Sequence, residues 1–498
     1  MDEAAPSQLT QRWAKVLDQS RCIGCHACTT ACKSENEVPL GVTRTFVKSV
    51  DIGIFPVARR AFQVTRCNQC EDAPCVAACP TQAMYRREDG IVDFDKQICI
   101  GCKACMAACP YDAIFINPDD HSAEKCNLCA HRLDIGLEPA CVTVCPTEAI
   151  LVGDLNDPTS KVAQVVNREA VQVRKPEKET KPGVFYKGAH QTTLDPLAAR
   201  RPDGGLYAWA TQGADAPVTG ANSSAAALIS YDIPHQAPWG WRVSLYTWTK
   251  SIAAGGFAVP VALAAAGRLS WTGNEVRWGA PLIGLVFLAL TGGLLIWDLK
   301  HPMRFYLIFT KHHWRSWLVR GSVIIGGYGA ALTVYLAAAI AGAGGSAQQA
   351  AGWTGMFLAA ATAVYTAYLF AQAKARDMWQ SPLLAPHLAV QAALAGAAVT
   401  WLFTPDRGVG VAGGPAGTVL IVAAIAHLAL VAAEITVPHG TAHAHLASRE
   451  LWRGKYRLLF WISALLVAAG IFVPPLALLG LLAYEHAYVQ AGQCVALA

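Results

Sequence analysis

The stretch that decides the fold is Cys99-Ile-Gly-Cys102-Lys-Ala-Cys105-Met-Ala-Ala-Cys109-Pro110, in which four cysteines are separated by two, two and three residues. Three further blocks of four cysteines lie before and after it, with closely related spacing. The complete set is Cys22, Cys25, Cys28 and Cys32, then Cys67, Cys70, Cys75 and Cys79, then Cys99, Cys102, Cys105 and Cys109, then Cys126, Cys129, Cys141 and Cys145. Of the 17 cysteines, only Cys494 lies outside these blocks.

The spacing within these blocks is typical of iron–sulfur proteins. In the bacterial run C-x2-C-x2-C-x3-C-P, three close thiolates bind one [4Fe–4S] cluster and the fourth thiolate binds a neighbouring cluster. The second, third and fourth blocks also end in Cys-Pro, at Pro80, Pro110 and Pro146. Sixteen thiolates divide into four groups of four with none left over. The sequence therefore predicts four [4Fe–4S] clusters.

Two other roles for clustered cysteines fit this pattern less well. Tetrahedral zinc also binds Cys-x2-Cys pairs, but it does not require a third cysteine close behind each pair and a trailing fourth. A disulfide framework would need an oxidising compartment and usually a secretory signal. Residues 1–20 contain no basic n-region, no apolar h-region and no twin arginine, so we expect no signal peptide.

Charge and hydropathy change near residue 240. Hydrophobic residues make up 53% of the chain and charged residues only 15%, with a mean hydropathy of +0.31, whereas soluble domains are about one quarter charged. Residues 241–498 hold 7 of the 35 acidic and 16 of the 40 basic residues. This division excludes a disordered chain, a collagen-like repeat and a single globular core. It indicates a soluble domain followed by a membrane domain.

The parts of the soluble domain that lie between the cysteine blocks predict short elements. Residues 83–95 predict a hairpin that turns at Asp89-Gly90, and residues 113–116 and 149–152 predict the matching short strands. We predict an α+β ferredoxin-like tandem [4Fe–4S] domain over residues 1–195 and a polar, turn-rich linker over 196–240. An all-α polytopic membrane bundle follows over 241–498.

The membrane bundle is predicted to have seven or eight spans, since a membrane helix needs roughly 20 apolar residues. An eighth span near 476–493 depends on whether Pro474-Pro475 marks a turn or a kink, and both readings remain open. The seven clear apolar segments are 243–267, 279–297, 317–342, 352–372, 383–404, 414–436 and 456–475.

The basic residues at the span ends predict the orientation. Twelve lysines and arginines fall on the side that carries the N-terminal domain, and only three fall on the opposite side. Cytoplasmic loops of membrane proteins carry the excess of Lys and Arg. We therefore expect a multi-pass protein of the inner membrane whose iron–sulfur domain faces the cytoplasm.

The cysteine-rich half resembles the four-cluster electron-transfer subunits of the molybdopterin oxidoreductase superfamily, such as those of dimethyl-sulfoxide and polysulfide reductases. The resemblance covers about residues 15–195 and includes Lys181-Pro-Gly-Val-Phe-Tyr-Lys-Gly. It implies that blocks one and four share two clusters, and that blocks two and three share the other two. The implied ligand sets are Cys22, Cys25, Cys28 with Cys145; Cys126, Cys129, Cys141 with Cys32; Cys67, Cys70, Cys75 with Cys109; and Cys99, Cys102, Cys105 with Cys79.

The apolar half resembles the NrfD/polysulfide-reductase membrane-anchor family over roughly residues 240–498. The segments that carry the resemblance are Trp297-Asp-Leu-Lys-His-Pro-Met-Arg-Phe, Trp314-Arg-Ser-Trp-Leu-Val-Arg-Gly-Ser and the run that begins Phe370-Ala-Gln-Ala-Lys-Ala-Arg-Asp-Met-Trp. The tail Tyr484-Glu485-His486-Ala487-Tyr488 is a weaker match. Anchors of this family bind quinone without haem. The resemblance therefore implies a quinone site and no haem in this chain.

Ionisable residues at membrane depth are expensive and are candidates for function. A quinone that gains two electrons also gains two protons, so its carbonyls need hydrogen-bond donors and a carboxylate that relays protons. The candidate quinone residues are Lys250, Asp298, His301, Arg304, Arg320, Tyr328 and Glu434. Arg304 and Arg320, together with Asp377, could equally pair and fix loops near the membrane surface.

The combined resemblance implies a fused electron-transfer and membrane-anchor subunit. It would link a molybdenum or tungsten bis-pterin catalytic subunit to the membrane quinone pool. No strong molybdopterin, flavin or nucleotide motif occurs in the sequence, so catalysis on the terminal substrate is expected in another polypeptide. The alternatives are the equivalent subunit of a nickel–iron hydrogenase and an energy-conserving, proton-translocating module.

Overall fold

The computed structural model describes residues 11–53, 56–200, 227–342, 345–404 and 414–497. The chain forms two compact units, one of Met1–Gln236 with Ala496–Ala498 and the other of Ala237–Val495. The first unit is a mixed α and β structure with a ferredoxin-like region, and the second is helical.

The first unit contains eleven short strands among its described residues. They are β1 Trp13–Asp18, β2 Thr45–Ile52, β3 Arg59–Arg66, β4 Met84–Arg86, β5 Val92–Phe94, β6 Ile114–Ile116, β7 Ala123–Lys125, β8 Ile150–Asp154, β9 Val171–Gln172, β10 Val184–Lys187 and β11 Leu228–Tyr231. Its helices are also short. They are α1 Ala27–Glu35, α2 Pro74–Ala78, α3 Ala104–Ala108, α4 Ala130–Leu133, α5 Ala140–Thr143, α6 Lys161–Arg168 and α7 Gln191–Leu194.

The largest sheet has the strand order β8-β1-β10-β9, in which β1 is antiparallel to β8 and parallel to β10. Successive side chains of a strand point to opposite faces. On one face of β1, Ala14 and Val16 pack against Val162 of α6. On the other face, Leu17 packs with Cys28 and other residues of the cysteine-rich core. This alternation also directs Lys15 toward the cysteines.

A second sheet has the order β11-β2-β3, with both pairings antiparallel. Strand β11 lies at residues 228–231, within the range that the sequence analysis assigned to a linker, whereas residues 201–226 lie outside the described residues. At the end of β3, Val64 packs in the core that contains Cys28 and Cys141. Arg66 lies two residues later on the same face of this strand, where it is 1% exposed.

The predicted short elements between the cysteine blocks are present. Strands β4 and β5 form an antiparallel hairpin, and Gly90 in its turn has a φ of +82°, a conformation that glycine adopts without steric cost. Strand β6 pairs with β7, and β8 joins the largest sheet. These elements begin at Ile114 and Ile150, one residue after the predicted starts.

Residues that follow the last helix of the chain belong to the first unit. Leu497 is buried at 3% exposure. Its carbonyl oxygen accepts a hydrogen bond of 3.3 Å from Nη2 of Arg174. The first unit is therefore built from two segments that are separated in sequence by the entire second unit.

The second unit consists of ten helices among its described residues. They are α8 Trp241–Ala265, α9 Ala280–Asp298, α10 Leu307–Thr310, α11 Trp317–Ile340, α12 Gly345–Ala371, α13 Leu384–Phe403, α14 Pro415–Thr436, α15 Ala442–Trp452, α16 Arg457–Ala469 and α17 Pro474–Ala491. A π-helical turn at Glu275–Gly279 runs into α9. Within the described part of the chain, six helices are long and apolar enough to cross a membrane, namely α8, α9 with this turn, α11, α12, α13 and α14.

Helices α16 and α17 occupy the region of the seventh and eighth predicted spans. Helix α16 is apolar but has only 13 residues. Pro474 and Pro475 occupy the first positions of α17, where the missing N–H groups of proline cost no helical hydrogen bond. The two prolines therefore follow a turn and do not kink one continuous helix. The count of seven or eight spans goes beyond the six long helices and stays a prediction.

Small residues let the most buried membrane helix approach its neighbour closely. A Cβ on Gly255 of α8 would lie 1.8 Å from the carbonyl oxygen of Ala392 in α13, and a Cβ on Gly396 would lie 2.2 Å from the backbone of Gly255. Close backbone approach at small residues is typical of helix packing in membranes. This contact fixes α8, which also carries Lys250, against α13.

Candidate iron–sulfur sites and a polar membrane cluster

The cysteine loops owe their shape to residues with left-handed backbone. In the first and third blocks these residues are Gly24, His26, Gly101 and Lys103, whose φ angles lie between +61° and +70°. Such changes of hand turn successive backbone N–H groups inward and form a concavity that suits anions, including iron–sulfur groups. A Cβ on Gly24 would lie 2.2 Å from the Phe62 ring, so this position requires glycine for space as well.

The first group of four thiols lines one cavity. Cys99, Cys102 and Cys105 come from the third block, and Cys79 comes from the end of the second block. Backbone N–H groups donate to two of the sulfurs, from Met84 to Cys79 at 3.3 Å and from Ala123 to Cys99 at 3.4 Å. The structure thus brings together the four residues that the resemblance assigned to one cluster.

A second cavity is lined by three thiols of the first cysteine block and one thiol of the fourth block. Its thiols are those of Cys22, Cys25, Cys28 and Cys145. The backbone N–H of Ala149 donates to Cys145 Sγ at 3.2 Å. Cys25 is exposed, whereas Cys28 is buried, so this group lies closer to the surface than the first one.

The third group consists of Cys67, Cys70, Cys75 and Cys109, which share one buried core. Burial raises the pKa of the Cys70 thiol to about 12, and the neighbouring thiols of Cys67 and Cys109 add to this shift. Burial likewise raises the pKa of Cys109 to about 11. Pro74 opens helix α2 immediately before Cys75.

The fourth group consists of Cys32, Cys126, Cys129 and Cys141. Burial raises the pKa of the Cys32 thiol to about 12, and Cys126, Cys141 and Cys129 reinforce this shift in that order. The amide Nδ2 of Asn36 lies 3.7 Å from both Cys32 Sγ and Cys129 Sγ. All four thiols are therefore close enough to interact with one another.

Two buried cations lie next to the fourth group and contact one of its sulfurs directly. Lys15 Nζ lies 3.4 Å and Arg66 Nη1 3.2 Å from the sulfur of Cys141. Burial alone would raise the pKa of Cys141, but the charges and hydrogen bonds of Lys15 and Arg66 outweigh burial and lower it to about 7. Nε and Nη2 of Arg66 are buried without a hydrogen-bond partner among the described residues. Because a buried cation needs a compensating charge, an anionic iron–sulfur cluster fits this donor set.

The thiols of the first two groups are arranged around cavities. Within the described ranges, no three His, Cys, Asp or Glu side chains converge on a point that could bind a single metal ion. The arrangement suits a larger group such as a cluster of iron and sulfide, which would supply one-electron transfer when bound.

Lys250 is completely buried in the second unit. It lies nine residues after Trp241, the start of α8, about 13 Å along the helix axis at 1.5 Å per residue. Its Nζ donates to the carbonyl oxygen of Ala363 and to Oγ1 of Thr366, both at 2.8 Å and both on α12. The Nζ atom also lies 5.4 Å from the centre of the Tyr365 ring.

An acidic residue that the sequence reasoning missed lies near this lysine. Glu485 of α17 is 4% exposed, and it hydrogen-bonds to the side chain of Thr247 and interacts electrostatically with Lys250. Tyr246, one turn before Lys250, hydrogen-bonds to Thr366 and interacts electrostatically with both Glu485 and Asp298. Lys250 and Asp298, both predicted from the sequence, therefore belong to the surroundings of Tyr246, together with Glu485.

A second polar group joins helices α13, α14 and α17. The imidazoles of His387 and His427 are hydrogen-bonded, with Nε2 of His387 2.9 Å from Nδ1 of His427. Each ring centre lies 5.1 Å from that of Tyr484. The hydroxyl of Tyr484 donates to Oε2 of Glu434 at 3.0 Å, and Glu434 interacts electrostatically with Glu485. Glu434 was a sequence-based candidate, whereas His387 and Tyr484 were not.

The remaining candidate quinone residues are Tyr328, Arg320, His301 and Arg304. Tyr328 donates its hydroxyl to the carbonyl oxygen of Ala253 at 2.8 Å. Arg320 donates from Nε to the carbonyl oxygen of Trp314 at 2.7 Å, and it lies over the Trp317 ring at 5.0 Å. The Tyr328 contact joins α11 to α8, and the Arg320 contact joins α11 to the segment that precedes it. His301 and Arg304 lie at a 3-10 turn, Pro302–Arg304, shortly after α9.

Comparison with protein families assigns both units. Residues 13–34 match a 4Fe-4S binding domain, and residues 58–155 match a 4Fe-4S dicluster domain. Residues 231–496, more than half of the chain, match the family described as polysulphide reductase, NrfD. The chain belongs to the NrfD family. It is a multi-pass membrane protein of that family, fused to an iron–sulfur electron-transfer domain.

Curated relatives of this NrfD-family protein cover its cysteine-rich part. A tetrathionate reductase subunit of Salmonella typhimurium is 45% identical over 198 residues, which are 38% of this chain and 77% of that subunit. A polysulfide reductase polypeptide of Wolinella succinogenes is 43% identical over 180 residues, 36% of this chain and 94% of the relative. The thiosulfate reductase electron transfer subunit PhsB of Salmonella typhi is 46% identical over 168 residues, 35% of this chain and 86% of its own length.

The resemblance predicted from the sequence is thus confirmed for both halves of this NrfD-family protein. The polar residues that sequence reasoning missed in the membrane unit had a weak signal. Tyr484 and Glu485 follow the apolar start of a helix that opens with two prolines. A carboxylate in such a segment is a candidate for function, but only the packing of α17 shows that Glu485 lies near Lys250.

Proposed function

We propose that this NrfD-family chain passes electrons through four [4Fe–4S] clusters between a catalytic subunit and the membrane quinone pool. The observation that carries the proposal is the arrangement of the cysteines. Sixteen thiols fall into four groups of four within one compact unit, and the same polypeptide continues into apolar helices. A row of such clusters can conduct electrons one at a time.

The four ligand sets are proposed as the four groups described above. The support is that each group combines three cysteines from one block with one cysteine from its partner block. Two groups line cavities, and the other two are joined by interactions among their thiols.

We propose a molybdenum or tungsten bis-pterin protein as the catalytic partner. The similar proteins are named as components of tetrathionate, polysulfide and thiosulfate reductases. The resemblance to the molybdopterin oxidoreductase superfamily supports such a partner for this chain as well. Electrons would move between the pterin centre of that partner and the clusters of this chain.

The proposed quinone site includes Lys250, with Asp298 and Glu485 as nearby carboxylates. Its support is the density of polar groups around Lys250 and Tyr246 inside an apolar bundle. A lysine donates a hydrogen bond to a quinone carbonyl, and a carboxylate relays the protons that accompany reduction. Glu434, with its partner Tyr484, is a second proton carrier in this proposal. His301, Arg304, Arg320 and Tyr328 stay predictions from the sequence.

We propose that the iron–sulfur unit faces the cytoplasm and that the chain crosses the inner membrane seven or eight times. The distribution of basic residues supports this orientation. A thiol reagent that cannot cross the membrane should leave a cysteine introduced at the exposed position of Asp157 unlabelled in intact cells and should label it in inverted vesicles. Labelling of the Asp157→Cys variant from outside would contradict the orientation.

Metal analysis of the complex purified from membranes tests the proposal as a whole. We expect about sixteen irons and about sixteen acid-labile sulfides per chain, because each [4Fe–4S] cluster contributes four of each. Zinc in place of iron, or fewer than about twelve irons after anaerobic reconstitution, would contradict the four-cluster assignment. Molybdenum or tungsten should accompany the complex, whereas nickel would contradict the pterin partner and favour a hydrogenase.

A further inference from the structure

Cys141 is a proposed cluster ligand whose sulfur accepts hydrogen bonds from two charged side chains. It accepts hydrogen bonds from Lys15 Nζ at 3.4 Å and from Arg66 Nη1 at 3.2 Å. Both cationic side chains are 1% exposed, so neither charge is screened by water. Two unscreened positive charges therefore point at one sulfur.

The sheets hold these cations rigidly. Lys15 lies in the middle of β1, whose neighbours β8 and β10 pair with it at Val152 and Val184. Arg66 is the last residue of β3 and pairs with Thr45 of β2. Because both residues are fixed by backbone ladders, the direction of their charges is set before any electron arrives.

Other proposed ligands accept from neutral donors. Cys145 accepts from the backbone N–H of Ala149, and Cys79 accepts from that of Met84. Cys70 hydrogen-bonds to the Thr180 side chain. A charged donor is roughly twice as strong as a neutral one. Two further donors of Arg66, Nε and Nη2, are buried without a partner among the described residues, and a cluster held by Cys141 would offer them sulfur acceptors.

We propose that Lys15 and Arg66 raise the reduction potential of the cluster bound by Cys32, Cys126, Cys129 and Cys141. Reduction adds one electron and one negative charge to the cluster and forms or breaks no covalent bond. Positive donors at the sulfurs stabilise this reduced form, because charge and hydrogen bonds at the sulfurs set the potential. The cluster then keeps an electron more readily than it would without these two residues. This inference rests on the proposed function, since it requires a cluster at this position.

Potentiometric titration followed by EPR tests the two tuning residues. In Arg66→Met and in Lys15→Met, the midpoint potential of one cluster should fall. We expect the midpoint potential to fall by at least about 59 mV. For a one-electron couple, this fall changes the ratio of reduced to oxidised cluster tenfold at a fixed potential. Arg66→Lys keeps the charge and should shift the potential less than Arg66→Met does. The signal of the affected cluster is identified by its loss in Cys129→Ala.

Arg60→Met is the matched control. Arg60 lies on the same strand as Arg66, but it is exposed and pairs with Asp51, so its removal should leave every potential unchanged. Unaltered potentials in both Arg66→Met and Lys15→Met would overturn the inference. It would also be overturned if the shifted potential belonged to a different cluster, one whose EPR signal is still present in Cys129→Ala. If Arg66→Met lowers the iron content, then Lys15→Met and Arg66→Lys decide the question. Wild-type iron far below about sixteen atoms would refute the proposed function itself, a result distinct from unshifted potentials in a fully loaded protein.

Discussion

His235 links strand β11 to the cluster-bearing part of the first unit through two carboxylates. Its Nδ1 lies 2.5 Å from Oδ2 of Asp112, and its Nε2 lies 3.1 Å from Oδ1 of Asp232. Burial disfavours the imidazolium, but hydrogen bonds to Asp112 and Asp232 outweigh burial and raise the pKa of His235 from 6.5 to about 9. Asp112 closely follows Cys109, so the charged histidine fastens the segment after β11 to that core.

The sign and size of the pH dependence follow from this shift. A histidine with a raised folded pKa gives its full stabilisation below its unfolded pKa, and it loses this stabilisation as pH rises through the folded pKa. A shift of about 2.5 pKa units corresponds to roughly 3 kcal/mol at 1.36 kcal/mol per unit. Most of that free energy is present at pH 7 and lost by pH 10, which corresponds to about a 100-fold increase in local opening.

Hydrogen exchange measured by mass spectrometry on the purified protein tests this expectation. After correction for the intrinsic exchange rate, protection of the amides at 228–233 should fall on the order of 100-fold between pH 7 and pH 10. The amides of β1, Trp13–Asp18, should change much less. His235→Gln should show weak protection already at pH 7 and little further loss. Full protection of residues 228–233 at pH 10, or an unchanged pH profile in His235→Gln, would refute the reasoning.

Three other substitutions test the remaining parts of the molecule. Cys102→Ser should remove or alter one cluster and lower the iron content from about sixteen toward about twelve per chain. Iron is measured together with acid-labile sulfide, and an unchanged iron content with an unchanged EPR spectrum would contradict the role of Cys102 as a ligand. Lys250→Met should leave the clusters assembled and strongly reduce quinol-linked turnover, while dyes that react directly with the clusters still support turnover; unaltered quinol kinetics would assign Lys250 a structural role. Arg44→Met should destabilise the first unit by about 1–3 kcal/mol, because it removes the buried guanidinium that is bonded to the Glu124 carboxylate and leaves that carboxylate with the more exposed Lys96 as its cation. The exposed pair of Arg60 and Asp51 is the control, since Arg60→Met should cost less than about 1 kcal/mol in the same denaturation assay.

Most ligands of each proposed cluster group could be predicted because they lie close together in the sequence. Three of the ligands in each group lie within about sixteen residues of one another, and a short loop decides their geometry. The fourth ligand comes from a distant block. Spacing alone does not identify it, and the assignment relied on family resemblance. The structure places Cys79 beside the third block and Cys145 beside the first.

The charged side chains next to the proposed clusters could not be predicted from the sequence. Lys15 and Cys141 are 126 residues apart, and Arg66 and Cys141 are 75 residues apart. A lysine within the apolar strand Trp13–Asp18 is visible in the sequence, but which face of the strand meets a cysteine depends on how the sheets pack. The same limitation applies to Lys250 and Glu485, which belong to the first and last helices of the second unit.

The membrane spans were predicted well where length and hydropathy suffice. All six long helices begin and end near the expected apolar segments. The region after 456 was less certain, because Gly470 to Val473 forms a turn between two shorter helices. Hydropathy averaged over a window does not register a turn made of apolar residues, and it therefore extended the seventh segment to Pro475.

The burial of Leu497 beside Arg174 has a consequence for the number of times that the chain crosses the membrane. Residues before Ala237 and residues after Val495 belong to one folded unit, and a folded unit cannot lie on both faces of a bilayer. Any path that leaves this unit and returns to it must cross the bilayer an even number of times. Six crossings satisfy this condition, and so do eight if α16 and α17 both traverse the membrane. A path of eight crossings keeps this contact and a path of seven breaks it. Tags placed at the two termini therefore distinguish the two predicted counts, since only an even count places both tags in the same compartment.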